Sequence, residues 1–265
     1  MPKNESHDQE MPFLEHLEEL RQRLIKSLLA LGVGMIACFS VAKYILNILT
    51  YPASRLTPPL EFQFLKVQGI LVVYLEIGFF GGLMAALPYI LMQIWQFVSP
   101  GLKTEERRYF LPLIFSSTIL FALGLSFAYF ILLPFALNFF IGLAPANIVA
   151  NIAIDFYIGF ALRMIFLFGV VFELPVVCYF LAKAGIITAA FMRKYRRHAI
   201  VLIFIIAAVL TPPDPITQII LGIPLTILYE ASIFIVKWVE KSAKQRVLAG
   251  ETSLEKPLEA EQGEG

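Results

Sequence analysis

The sequence has few charged residues, two cysteines and three histidines, and each scarcity excludes a class of protein. Only 15% of its 265 residues are charged, whereas about 25% are charged in a soluble domain. Hydrophobic residues make up 58% of the sequence, against about 45–50% in a soluble domain. A soluble globular protein is therefore excluded, and an integral membrane protein is predicted. The net charge of +1 offers no field that would attract nucleic acid.

The few residues that could carry covalent chemistry argue against an enzyme. Cys38 and Cys178 lie within apolar runs, so they are expected to be small buried residues rather than metal ligands or a disulfide. None of the histidines, His7, His16 and His198, is spaced with a serine or cysteine as a catalytic pair. Phosphate-binding glycine loops, zinc-protease motifs and serine-hydrolase motifs are absent. The sequence predicts no enzyme, no metal site and no cofactor.

What the sequence does contain is long apolar runs, which predict six transmembrane helices. The first four runs exceed the roughly 20 residues that cross a bilayer. The fifth has 12 apolar residues before a Pro-rich turn, so the last two spans are expected to be short or tilted. One domain, 13–241, is predicted between a flexible N-terminus (1–12) and a disordered cytoplasmic tail (242–265). The predicted spans cover about 25–49, 70–98, 110–140, 157–182, 199–211 and 216–236.

Basic residues occupy alternate loops, and this pattern predicts the orientation of the chain. Lys and Arg cluster before the first span and after the second, fourth and sixth spans. The loops between them hold only Arg55 and Lys66, with Lys43 close to the end of the first span. Because basic loops stay in the cytoplasm, both termini are predicted to be cytoplasmic.

Prolines predict bent helices. Pro88 and Pro175 lie within predicted spans, and Pro52 lies in the first outer loop. A proline removes a backbone donor and bends the helix, and neighbouring groups then bond the freed carbonyl. The predicted fold is therefore an all-α bundle whose bent helices form a concave face. These three prolines are predicted to be structural.

Two stretches of charge lie at the predicted inner boundary of the membrane. EHLEELRQRL, residues 15–24, has leucines at helical spacing, which favours an interfacial helix with Glu18–Arg21 and Glu19–Arg23 pairs. FVSPGLKTEERRYF, residues 97–110, is equally consistent with a turn and the acidic first turn of the next helix.

Several polar residues interrupt the spans, among them Glu76, Arg163 and Glu173. A charge at the bilayer centre costs about 2.5–3.5 kcal/mol, so each is a candidate functional residue. Arg163 and Glu173 are ten residues apart, roughly 15 Å along a helix, and cannot pair directly. Glu173 is therefore expected to be protonated or bonded to a partner from elsewhere. Arg163 and Glu76 are expected nearer the outer half, where long side chains reach the interface.

Six motifs follow one another along the chain: HLEELRQRL (16–24), ALPYILMQIWQFVSPGL (86–102), EERR (105–108), FGVVFELP (168–175), LTPPDPITQ (210–218) and LYE (228–230). Together these motifs resemble the TatC family, the multispanning core subunit of the twin-arginine protein translocase. The resemblance covers about residues 13–240, in order and with matching spacing. Six spans with both ends in the cytoplasm are implied by the family, as the charge pattern predicts independently.

The resemblance implies a function in protein export across the bacterial cytoplasmic (inner) membrane. Such a subunit recognises folded cargo proteins through signal peptides that carry paired arginines. It recruits single-span partners of the TatA and TatB types, associates with further copies of itself, and uses the proton-motive force.

The motif match also implies which residues bind the signal peptide. Glu19 and Glu106 would hold the arginine pair, with Glu18 and Glu105 as alternatives. Two planar guanidinium groups match two carboxylates, which lysines cannot imitate. The further residues implied at this site are Arg21, Phe97 and Pro100.

A second implied site binds partner helices. Glu173 would meet a polar group of an incoming helix, because lipid offers it no partner. The residues Thr211, Asp214 and Gln218 resemble the polar patch of the family, and Glu230 is predicted to be structural.

One alternative function stays open at this point. A proton- or ion-coupled transporter of small solutes could use Glu173 and Arg163 as a relay. It would need a water-accessible site near the middle of the membrane, within one chain.

Overall fold

The computed structural model describes residues 13–56, 59–98, 110–143, 145, 151–210 and 215–261, and this part of the chain is almost entirely helical. The prediction of an all-α fold is confirmed, apart from two strands of three residues each. In chain order the elements are α1 (Phe13–Ser40), α2 (Ala42–Ser54), β1 (Glu61–Gln63), α3 (Gly69–Glu76), α4 (Gly82–Val98), α5 (Phe110–Phe127), α6 (Leu133–Gly142), β2 (Asn151–Ala153), α7 (Ile154–Val171), α8 (Leu174–Lys183), α9 (Ala189–Lys194), α10 (Arg196–Leu210) and α11 (Pro215–Glu261).

Three of the predicted spans consist of consecutive helices that continue one another. A π-helical segment, Ile77–Gly81, joins α3 to α4, and a second, Ala128–Leu132, joins α5 to α6. A bend at residues 172–173 joins α7 to α8. Pro134 and Pro175 lie in the first turns of α6 and α8, directly after an irregular turn. Since proline has no backbone N–H, the regular hydrogen-bond ladder is interrupted at these places.

Five segments in the described part of the chain are long and apolar enough to cross a membrane. α10 has 15 residues, about 22 Å at 1.5 Å per residue, and so is short, as predicted for the fifth span. The prediction that the last span is also short is wrong, because Gln218–Ser242 has 25 residues within one continuous helix. The five long segments are Glu15–Ser40, Gly69–Phe97, Pro112–Gly142, Ile154–Lys183 and Gln218–Ser242.

Two segments differ from the predicted boundaries. The run predicted as one span over 25–49 is divided between α1 and α2, and the Ser40 hydroxyl donates to the Ile36 carbonyl at 2.8 Å just before the break. A serine that bonds back in this way bends a helix. α11 continues to Glu261, through the segment predicted to be a disordered tail. Lys, Ala, Gln, Arg and Leu within 241–249 all favour helix.

α2, β1 and β2 close one end of the bundle, called here the strand end. The two strands pair in parallel, with Phe62 opposite Ile152. Because parallel strands precede α3 and α7, both helices enter the bundle from the strand end. The sequence does not predict this sheet, because three residues carry too short a pattern to identify a strand.

Pro52 explains how the strand end is held to the bundle. It lies within α2 and has no N–H to offer the carbonyl of Ile48, four residues earlier. The Tyr129 hydroxyl donates to that carbonyl at 2.7 Å, and the Tyr157 hydroxyl donates to the neighbouring Leu49 carbonyl at 2.6 Å. The freed backbone carbonyl thereby becomes an anchor between α2 and the helices that face it.

α7 lies at the centre of the core, and α3 and α5 pack against it. The contact with α5 is close, because a Cβ on Gly124 would lie 2.5 Å from the Phe168 carbonyl oxygen. This approach brings Ser117 of α5 next to Glu173 at the end of α7.

α1 packs almost entirely along α4 and the π-helical segment before it. The two helices touch through glycine, because a Cβ on Gly82 would lie 2.4 Å from the backbone nitrogen of Met35. This crossing sets the first turns of α1 beside the end of α4, where the candidate site lies.

α9 is held against α11 by two hydrogen bonds, and the start of α10 is held there by an ion pair. The Glu240 carboxylate accepts from the Ala189 backbone N–H at 2.9 Å, and the Tyr229 hydroxyl donates to the carbonyl of Met192 at 2.9 Å. Glu230 forms an ion pair with Arg196, with 2.5 Å between Oε1 and Nε. The charge of Glu230 is therefore balanced within the chain.

Candidate functional site

Glu19 belongs to a polar cluster where the start of α1 meets the end of α4. Its Oε1 accepts from Nε of Arg23 at 2.9 Å and from Nη2 at 2.5 Å. Nη1 of Arg23 donates to Oε1 of Gln96 at 2.7 Å and to Oε1 of Gln93 at 3.4 Å. Only about a fifth of each charged side chain is exposed, 21% for Glu19 and 20% for Arg23. Because both side chains are mostly shielded from water, the attraction between the two charges is stronger than in an ion pair at the surface.

The second carboxylate oxygen of Glu19 has no hydrogen-bond partner among the described residues. Oε2 is buried, and Nδ1 of His16 lies 3.8 Å from it. The His16 ring stacks on Phe97, with 4.3 Å between the ring centroids. Two residues predicted for the signal-peptide site, Glu19 and Phe97, therefore lie within one cluster.

Glu18 and Arg21 lie on a more exposed side of α1. Their side chains are 47% and 68% exposed and form an ion pair of 2.8 Å. An exposed pair of neighbours on one helix contributes little to stability. Glu19 and not Glu18 is the carboxylate that pairs with Arg23, the residue that joins α1 to α4.

Several residues predicted for the two sites lie outside the described residues. They are Pro100, Glu105, Glu106, Thr211 and Asp214. The first three belong to the connection from α4 to α5, which follows directly on the cluster around Glu19.

The sequence analysis does not assign Gln93 and Gln96 to a site. They lie three residues apart and so share one face of α4, and Gln93 is buried. The presence of two glutamines near the end of an otherwise apolar helix could have predicted a polar contact at this place. The pairing of Arg23 with Glu19 follows from their spacing on α1, as predicted.

Glu173 is buried at the bend between α7 and α8, with 5% of the residue exposed. Its Oε2 accepts a hydrogen bond from the Ser117 hydroxyl, while Oε1 has no partner among the described residues. Glu173 was expected to be protonated or bonded to a partner from elsewhere. Ser117 of α5 is such a partner for one of the two carboxylate oxygens, and it belongs to the same chain.

A cavity of about 360 Å³ lies between α5, α8 and α11. In its wall, Ser116 adjoins Ser117 in the sequence, and Pro175 and Val176 follow Glu173 closely. The cavity is mostly apolar, so a helix or chain that entered it would bury apolar surface against the sequence neighbours of the Glu173–Ser117 pair.

Gln218, predicted for partner contact, forms a bond within the chain. Its Nε2 donates to the carbonyl of Phe204 at 2.7 Å and so joins α11 to α10. Arg163 contacts Glu76, with 3.8 Å between Nη2 and Oε1. The structure therefore separates Arg163 from Glu173.

Comparisons with known proteins agree with this architecture. The family model for Sec-independent protein translocase protein (TatC) matches residues 15–224. A protein of that name from Aquifex aeolicus is 41% identical over 237 residues, which cover 89% of this chain and 98% of the relative. Another from Carboxydothermus hydrogenoformans is 42% identical over 234 residues, covering 88% and 96%.

A solved structure agrees as well. The crystal structure of a twin arginine translocase receptor, TatC, superposes with a TM-score of 0.80 at 41% identity, covering 85% of this chain and all of that one. These relatives are subunits of a protein translocase and not enzymes. The family model covers most of the chain, and the chain therefore belongs to the TatC family of multi-pass membrane proteins.

Proposed function

We propose that this protein is the receptor subunit that binds twin-arginine signal peptides of folded cargo proteins. The observation that carries the proposal is the Glu19 carboxylate, which already holds one guanidinium group and whose second, buried oxygen has no partner among the described residues. Glu106, on the neighbouring connection, is proposed to hold the other arginine, with Glu105 as its alternative. Arg21 and Pro100 are proposed to border the site.

Arg23 occupies the place that an incoming arginine needs. A guanidinium group from a signal peptide would compete with Arg23 for Glu19, while Gln93 and Gln96 keep acceptors for the displaced Arg23. Lysine would compete poorly, since its point charge cannot match a carboxylate with two parallel hydrogen bonds as a planar guanidinium group does.

An apolar groove runs along α1 and α4 beyond this cluster. It has a volume of about 460 Å³ and is lined by residues such as Lys26, Leu29, Val33 and Tyr89. Lys26 is two turns beyond Glu19 on α1, so the groove continues from the charged site. We assign it to the apolar stretch of the signal peptide, which supplies affinity that ion pairs alone lack.

The proposed topology has six spans, with α10 as the fifth, in the bacterial cytoplasmic (inner) membrane. Both termini face the cytoplasm, which places Glu19 at the cytoplasmic surface and the strand end outside. The distribution of Lys and Arg supports this orientation.

The partners are proposed to be single-span proteins of the TatA and TatB types and further copies of this chain, with transport driven by the proton-motive force. Glu173 has one oxygen without a partner among the described residues, and its neighbours in the sequence line an apolar cavity, which suits a helix carrying one polar side chain. The connection with Thr211 and Asp214, together with Gln218, is proposed to extend this contact.

Arg23→Gln is expected to increase the affinity for a twin-arginine peptide by about three- to tenfold, because it removes the competing guanidinium group. Titration of a fluorescent peptide against the purified protein measures this. Lys43→Gln removes the same charge from α2 at the strand end, far from Glu19 and the groove, and is expected to leave the affinity unchanged. Weaker binding by Arg23→Gln would show that Arg23 positions Glu19 rather than competes for it.

Glu173→Leu is expected to reduce recruitment of a TatA-type helix by roughly 5- to 30-fold and to leave peptide binding unchanged, since one membrane hydrogen bond is worth about 1–2 kcal/mol. Co-purification in detergent measures recruitment. Glu173→Gln, which keeps hydrogen-bonding capacity, and Ser117→Ala, which frees the second oxygen, are expected to retain it. If peptide binding fell together with recruitment, the division between the two sites would be wrong.

The transporter hypothesis loses its relay in this fold. Arg163 contacts Glu76, and Glu173 bonds Ser117, so the two charges predicted to form the relay belong to separate contacts.

A further inference from the structure

Glu76 and Arg163 form a polar contact within the apolar part of the bundle. α3 and α7 both begin at the strand end, and the pair lies about two turns into each helix, roughly 10–14 Å. The two side chains are 25% and 50% exposed, and Nη2 lies 3.8 Å from Oε1. This separation is too long for a hydrogen bond. The hydrogen-bonding groups of the pair are therefore only partly satisfied, and the surrounding lipid offers no water that could complete their bonds.

Gly159 shapes the space around this pair. A Cβ on Gly159 would lie 3.3 Å from Nη2 of Arg163 and 3.2 Å from Oε2 of Glu76. Gly159 is one turn nearer the strand end than Arg163. Because the Arg163 side chain extends toward the strand end, its guanidinium group lies over the backbone of Gly159, which has no side chain. The missing side chain leaves an open cradle between a cation and a carboxylate.

The groups in the cradle have unused bonding capacity. Oε2 of Glu76 is buried without a hydrogen-bond partner among the described residues. The half-exposed guanidinium group of Arg163 has five N–H donors and, in the described part of the chain, only the long contact with Glu76. A ligand that fits must bring an anion to Arg163 and a hydrogen-bond donor to Glu76.

The order of charges along α7 identifies such a ligand. Asp155 lies one turn nearer the strand end than Gly159, and Arg163 one turn deeper. From the membrane surface inward, the order is therefore carboxylate, bare glycine and guanidinium. In a phospholipid with a primary amine the ammonium group lies outermost and the phosphate lies next to the acyl chains, which is the complementary order.

We propose that Glu76, Asp155 and Arg163 bind the headgroup of a zwitterionic phospholipid that carries a primary amine. Its phosphate accepts from Arg163, and its ammonium group donates to Glu76 and Asp155. The ring of Phe79 is 45% exposed and lies about one turn deeper than Glu76, at the depth of the acyl chains. Under the proposed topology this lipid belongs to the outer leaflet.

Native mass spectrometry tests the proposal on the whole protein in nanodiscs containing equal amounts of phosphatidylethanolamine, phosphatidylcholine and phosphatidylglycerol. The wild-type chain is expected to retain phosphatidylethanolamine about tenfold over phosphatidylcholine, whose ammonium has no N–H donor. Arg163→Gln is expected to abolish this preference. Glu76→Gln is expected to shift it to phosphatidylglycerol, because an unopposed guanidinium group prefers an anionic lipid.

Two further variants keep the test decisive if removal of a charge impairs folding. Gly159→Ala fills the cradle, keeps both charges and is expected to lose the preference. Arg196→Gln breaks the ion pair with Glu230 far from the cradle and is expected to retain it. Equal retention of the three lipids by the wild-type chain would overturn the proposal. So would a photo-crosslinker at position 163 that captures a single-span partner protein in place of lipid.

Discussion

A chain that carries both Glu19→Ala and Glu106→Ala is expected to lose crosslinking to a twin-arginine signal peptide by at least about 100-fold. Each carboxylate contributes charge-assisted hydrogen bonds to one guanidinium group, worth about 1.5–3 kcal/mol apiece. About 1.5 kcal/mol is the value for an exposed acid. Glu19 is only 21% exposed and lies beside His16, whose ring stacks on Phe97. Glu19→Ala alone is therefore expected to account for about tenfold or more.

The controls for this experiment lie beside the two acids. Glu18→Ala removes the same charge from the exposed side of α1, where Glu18 pairs with Arg21, and is expected to change crosslinking less than twofold. Glu105→Ala plays the same part for Glu106. Photo-crosslinking from the peptide to the purified protein, quantified by gel, gives the comparison. Undiminished crosslinking in the double variant would contradict the assignment of both acids.

Gly82→Ala is expected to lower the melting temperature by roughly 5–10 °C, although alanine favours helix over glycine by about 1 kcal/mol. The added Cβ would lie 2.4 Å from the nitrogen and 2.5 Å from the Cα of Met35. Backbone cannot rotate away as a side chain can, so α1 must separate from α4. α1 has little other support within the described chain, because it packs mainly on α4 and the π-helical segment before it.

Gly32 provides a matched control within α1, because a Cβ there meets nothing within 4 Å. Gly32→Ala is expected to leave the melting temperature unchanged or raise it slightly. Thermal unfolding followed by loss of monodisperse protein in detergent measures both variants. The separation in Gly82→Ala should also weaken peptide binding, since Arg23 reaches Gln96 only while the two helices touch. A melting temperature equal to that of the Gly32→Ala variant would show that the crossing tolerates a side chain.

The sequence predicts the helices well because apolar runs of membrane length leave the backbone no other way to bond itself. It predicts the Glu19–Arg23 pair because both residues lie on one helix at a fixed spacing. It also indicates that α10 is short, from the distance between a basic cluster and the Pro-rich turn. These features are local, and periodicity alone determines them.

Contacts between helices could not be predicted in the same way. The pairing of Glu173 with Ser117 depends on the close approach of α5 to α7 at Gly124, and Ser117 looks like its neighbour Ser116 in the sequence. Arg163 finds Glu76 because α3 and α7 run in parallel from the strand end. Helix crossings determine such pairs, and no short motif records them.

Irregular backbone was missed for a related reason. The π-helical segment Ile77–Gly81 and the anchors of Tyr129 and Tyr157 satisfy backbone groups at places where a regular ladder fails. Pro52 was predicted to be structural, but the Tyr129 hydroxyl that bonds the freed carbonyl of Ile48 comes from far along the chain. A proline therefore indicates that a partner is needed without identifying it.

A double-mutant cycle between Glu19→Gln and arginine-to-glutamine changes in the signal peptide tests the central claim most directly. If the carboxylate of Glu19 receives a signal arginine, one of the two peptide positions should show a coupling energy of at least about 1.5 kcal/mol with Glu19, and the other close to none. Strictly additive losses at both peptide positions would mean that Glu19 never contacts the arginine pair, and the proposed receptor site would then lie elsewhere.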